Sequence, residues 1–210
     1  EEKALTYVMY IGTAVGLIGI VLVWYCFGTH RDLVERPELI VLHLSVAIAL
    51  VNTLFVAAAD RKKGQSDESC AAVAATIHYF LLSTWAWQLC EAEHFYHTFV
   101  HVMGSKRSFI WYVLLGWGGP LLLVVPSFFA FRDDYGSEGA CFITPGTTAS
   151  YFWTVPALVG LLICFVTCGL VLRSIEEHSH HMDYRARAKA ILTFGTTLGL
   201  VYVFGALQQM

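Results

Sequence analysis

Ile77-His78-Tyr79-Phe80-Leu81-Leu82-Ser83-Thr84-Trp85-Ala86-Trp87, followed three residues later by Glu91-Ala92-Glu93-His94-Phe95-Tyr96, lies inside an apolar run from Cys70 to Val100. From Cys70 to Cys90 this run holds no Asp, Glu, Lys or Arg. At 1.5 Å per residue a helix of that length crosses the roughly 30 Å of a bilayer's hydrocarbon. The segment has to be helical, because an isolated span must satisfy its own backbone N–H and C=O groups.

The same test applied outward predicts six spans: residues 4–27, 38–59, 70–100, 109–131, 150–172 and 188–207. None alternates strictly apolar and polar, so a barrel is excluded and an all-α membrane bundle, one transmembrane domain over 1–210, is expected. Gly28 to Pro37, Asp60 to Ser69 and Arg132 to Gly139 gather the charges and turn residues and read as loops. Composition agrees: 57% hydrophobic and 14% charged residues leave more apolar surface than a soluble core can bury. A net charge of -3 shows neither a nucleic-acid footprint nor an acidic tail.

Loop charge sets the orientation. Lys3, Arg61, Lys62, Lys63 and Arg132 lie on the N-terminal side, against Arg31, Arg36, Lys106, Arg107, Arg173, Arg185, Arg187 and Lys189 opposite, which favours an extracellular N-terminus. Cys70 and Cys141 also fall on the N-terminal side, while Cys26, Cys90, Cys164 and Cys168 lie within or at the ends of spans. A Cys70–Cys141 disulfide would place that side in an oxidising compartment; two unrelated thiols at loop edges is the alternative.

The third span resembles the seven-helix domain of adhesion G protein-coupled receptors, whose third helix reads L-H-Y-F-F-L-S-T-F-A-W and then E-G-x-H-L-Y. Ala92 stands for a glycine and Phe95 for a leucine. Gly116-Trp117-Gly118-Gly119-Pro120 is similar to the G-W-G-x-P of the fourth helix, and Tyr135-Gly136 with Ala140-Cys141-Phe142 to the second extracellular loop. Pro156 matches the fifth-helix proline, and Val203-Phe204-Gly205 the end of the sixth helix's T-W-x-F-G. The chain departs from the pattern at Tyr202, where the family has Trp, at Asn52, where Glu is frequent, and at Val41, where an inner His is usual and His43 stands two places on. It opens at Glu1 without an initiator Met or leader and stops after the sixth span, so it reads as a piece of a longer receptor without the seventh helix.

The resemblance implies a plasma-membrane receptor that passes binding of a tethered or extracellular peptide agonist to a heterotrimeric G protein. It implies an agonist pocket drawn from Trp87, Trp153, Phe204, Tyr202, Phe142 and Phe80, entered by a short helical peptide. It also implies an inner polar network of Glu91, His94 and His43, helix pivots at Pro156 and Gly205, and a G protein-facing set of Arg107, Arg173, Arg185 and Arg187. Carboxylates in a span are costly unless they face protein, water or a partner, and this marks Glu91 and Glu93. Gly12, Gly16 and Gly19 fit close helix packing at four-residue spacing.

Other readings are bounded by the same residues. His94, His97 and His101 share a helix face, and with His43 could offer one bis-histidine haem pair, a six-helix haem protein. His178, His180 and His181 have metal-like spacing without a fourth ligand, so no metal or other cofactor is expected. A secretin-type peptide-hormone receptor is the nearest relative class, and a channel or transporter would call for inverted repeats that are not found. No catalytic constellation is present, and an enzyme is not expected.

Overall fold

The computed structural model describes residues 2–29, 36–58, 66–99, 108–136 and 141–177. Over these the chain forms α1 (Glu2–Thr29), α2 (Arg36–Ala58), α3 (Asp67–Phe99), α4 (Phe109–Ala130) and α5 (Thr148–Glu177). All five contain a segment long and apolar enough to cross a membrane. The expected span 188–207 lies outside the described residues.

The least apolar of the five, α3, is also the most buried. It packs against α2, α4 and α5, whereas among the described residues α1 packs chiefly on α2. The inversion relative to a water-soluble core follows from the solvent. In lipid the outward faces can be wholly apolar, and polar side chains are drawn inward to one another. Leu122 and Phe129 of α4 are each 78% exposed, and Ile18, Leu22 and Leu162 also point outward. His78, Ser83, Thr84 and Gln88 of α3 are buried.

Where α1 meets α2, the indole Nε1 of Trp24 donates to Ser45 Oγ at 2.8 Å. Of the four glycines in α1, only Gly16 faces a neighbour among the described residues, Asn52 Nδ2. Gly12 and Gly19 meet nothing within 4 Å among the described residues, so the four-residue spacing serves one close approach, not a continuous seam.

The middle of α4 is a π turn, Leu114–Gly118. Pro120 has no N–H to offer the Gly116 carbonyl, and the chain widens so that Gly119 N–H reaches Leu114 O. Beside the turn, Tyr79 of α3 donates to the Trp117 carbonyl at 3.1 Å. The turn also brings Gly116 flat against Trp87, close enough that a Cβ there would lie 2.6 Å from the indole Nε1.

Between α4 and α5 the chain folds back on itself. Tyr135 and Ile143 form an isolated antiparallel bridge, with Gly136 N–H donating to Phe142 O at 2.9 Å and Thr144 N–H to Asp134 O at 2.8 Å. Gly136 has φ of 107°, a conformation a side chain would strain, and it lies against Cys70 Sγ. Cys70 is disulfide-bonded to Cys141, so the head of α3 is tied to this loop.

Candidate functional site

The disulfide fixes where Phe142 goes. One residue beyond Cys141, its ring lies 5.8 Å from Phe55 of α2 and 6.2 Å from Trp153 of α5, measured between centroids. Phe80 packs with Phe142 against a buried cluster of Val51, Cys70, Ile77, Leu81 and Cys141. Trp153 belongs to the adjoining cluster with Leu82, Trp85, Val124 and Ala157. Of the expected pocket residues, Phe142 and Trp153 therefore meet at the disulfide end, and Phe80 packs against the same cluster as Phe142.

Trp87 does not join them. Completely buried, it sits with Ile40, Leu44, Ala47, Cys90 and Tyr112 between α2, α3 and α4. Its ring stacks on His43 at 4.6 Å with 5° between planes, and Trp117 meets it edge-on at 5.9 Å. Seventeen residues separate it from Cys70, or about 26 Å along the helix. Tyr202 and Phe204 lie outside the described residues.

Beneath the pocket runs a polar chain that sequence reasoning did not single out. Tyr135, almost completely buried, shares its hydroxyl with Ser127 Oγ at 2.6 Å and His78 Nδ1 at 3.0 Å. Ser127 Oγ in turn donates to Val124 O at 3.0 Å. His78 also lies within interaction range of the Phe152 backbone. That carbonyl is the one Pro156 leaves without its helical N–H donor. The chain thus joins α3, α4 and the loop, with its His78 end turned toward α5. Burial, reinforced by the neighbouring Asp134 carboxylate and opposed by the Ser127 hydrogen bond, pushes the Tyr135 phenol up from its ordinary value. It therefore remains an O–H that can donate. The sequence signals were His78 within the third-span motif and Tyr135 within the Tyr135-Gly136 motif; that the two meet, and that Ser127 joins them, is too far along the chain for spacing to reveal.

At the other end of α3 the expected inner network is divided. Glu91 lies near enough to Cys164 and Cys168 of α5 to act on both electrostatically. The His94 ring meets Tyr112 of α4 edge-on at 6.4 Å. His43 is not with them: besides the stack on Trp87, its Nδ1 accepts from Trp117 Nε1 at 3.2 Å. Glu93, on a different face from Glu91, lies 3.5 Å from His97 Nε2. Among the described residues no group of three or more His, Cys, Asp or Glu could hold a metal ion. Arg173 is exposed at the end of α5 remote from the disulfide. Arg107, Arg185, Arg187 and Gly205 lie outside the described residues, and Pro156 is inside α5.

Residues 2–210 match the family model described as "7 transmembrane receptor (Secretin family)". The chain is 30% identical to Adhesion G-protein coupled receptor D1 of Bos taurus, over 99% of this chain and 24% of that one. It is 29% identical to the Homo sapiens protein of the same name, over 99% and 25%. Against Adhesion G protein-coupled receptor E5 of Homo sapiens it is 27% identical, over 98% and 26%. The chain spans about a quarter of the length of these relatives.

Proposed function

The chain belongs to the secretin family of seven-transmembrane receptors, in its adhesion branch, and from that premise we propose that it couples a peptide agonist at the disulfide end to a heterotrimeric G protein at the other. The agonist is a tethered or extracellular peptide whose apolar side chains enter among Phe80, Phe142 and Trp153, with Tyr202 and Phe204 completing the wall. The observation that carries this reading is the disulfide-anchored Phe142, held between α2 and α5. An aromatic fixed there is an apolar contact for a ligand that costs little further ordering on binding. Trp87, buried against α2 and α4, supports the bundle beneath that pocket as a positioning residue.

The disulfide side is extracellular, as is the N-terminus, since α1 and α3 begin on the same side and a disulfide persists where conditions oxidise. The membrane is the plasma membrane. Arg107, Arg173, Arg185 and Arg187 then face the cytoplasm and the G protein. Glu91 and His94 hold the inner ends of α3, α4 and α5 together in the inactive state, with Pro156 and Gly205 as pivots. A ligand can shift such a bundle only by its differential affinity for the open form.

The test is agonist-stimulated G protein activation by the full-length receptor. Truncating a buried aromatic anchor costs about 2 kcal/mol, so Trp153→Ala and Phe142→Ala should each weaken agonist potency by about thirtyfold. Potency unchanged in both variants, at normal surface expression, would remove the pocket.

A further inference from the structure

A second cavity, of about 490 Å³, lies between α3 and α4 at the end remote from the disulfide, lined by Glu93, Trp111, Tyr112 and Leu115. Trp111 is 64% exposed and Leu115 48%, so its outer wall faces lipid, not the bundle interior. Glu93 is 23 residues beyond Cys70, about 35 Å along the helix, which puts its carboxylate at headgroup level in the leaflet away from the disulfide. Trp111 is near the start of α4, at the same level, where an amphipathic ring is favoured. His97 Nε2 lies 3.5 Å from Glu93 Oε1, and the Glu93 side chain, which lines the cavity, is 27% exposed.

We propose that this groove seats the headgroup of a phosphatidylethanolamine from that leaflet. The argument is charge complementarity at a fixed depth. A carboxylate and an indole beside one small cavity suit a primary ammonium, which donates hydrogen bonds to the first and is attracted to the face of the second. Tyr112 and Leu115 continue the groove as an apolar track for an acyl chain. A quaternary choline has no N–H to donate, and a headgroup of net negative charge is repelled by Glu93. The ligand therefore has both the ammonium and the zwitterionic balance of ethanolamine. The site is distinct from the agonist pocket, and its failure would leave the signalling proposal untouched.

The full-length receptor, reconstituted with equal amounts of phosphatidylethanolamine and phosphatidylcholine and released for native mass spectrometry, reports which lipid stays bound. A charge-assisted hydrogen bond corresponds to about a tenfold preference for ethanolamine. The preference should fall to near unity in Glu93→Gln and weaken in Trp111→Ala. With the wild-type protein alone, retention should decline stepwise through the mono- and dimethylated headgroups. Equal retention of all headgroups, a preference that survives Glu93→Gln, or a groove occupied instead by a second receptor copy would each overturn the assignment.

Discussion

Gly116→Ala adds one methyl group where the structure has no room for it. The new Cβ would lie 2.6 Å from Trp87 Nε1 and 2.7 Å from Cδ2, well inside van der Waals contact. The indole cannot retreat cheaply, since His43 is stacked on one side at 4.6 Å and Trp117 and Phe109 stand at 5.9 Å and 6.5 Å. Overpacking of this kind costs about 2 kcal/mol. For a domain of this size that corresponds to a fall of about 4–8 °C in melting temperature. Thermal unfolding of the purified receptor in detergent, read by exposure of buried thiols such as Cys90, measures it directly. Trp87→Phe in the same background removes the colliding ring, so the double variant should recover about 1 kcal/mol relative to the sum of the singles. An unchanged melting temperature in Gly116→Ala, or strictly additive effects in the pair, would refute the packing described for α3 and α4.

Two further outcomes follow from the polar groups. Tyr135→Phe strips His78 and Ser127 of a shared buried partner and should lower stability by about 1–3 kcal/mol, as measured by the same unfolding assay; Phe at no cost would mean the chain of hydroxyls and imidazole holds nothing together. Glu91→Gln should raise agonist-independent G protein activation about fivefold, the effect of removing about 1 kcal/mol from the inactive state, and basal signalling at the wild-type level would show that Glu91 does not hold the inner ends closed.

The first five spans were legible because lipid imposes one rule on every residue of a crossing helix, and a charge-free run such as Cys70 to Cys90 satisfies little else. The faces were not legible to the same degree. Trp85 and Trp87 differ by two positions, about 200° around a helix. The first packs with Trp153 and Ala157 and the second with α2 and α4, so aromatic type alone could not say which belonged near the pocket. His43 was grouped with Glu91 and His94 by residue type and depth, yet its partner is the indole of Trp117, delivered by a π turn. Gly116-Trp117-Gly118-Gly119-Pro120 announces an irregularity, but whether the helix widens, kinks or ends depends on the neighbours packed against it. Here one of them is Tyr79, which donates to the Trp117 carbonyl across 38 residues.

Everything rests on the disulfide end and the Arg173 end of the bundle lying on opposite sides of a membrane. A membrane-impermeant maleimide, applied to intact cells after mild reduction, should label Cys70 and Cys141 at once. A cysteine introduced as Arg173→Cys should react only once the cells are permeabilised. Labelling of that position from outside, or of Cys70 and Cys141 only from inside, would contradict the account.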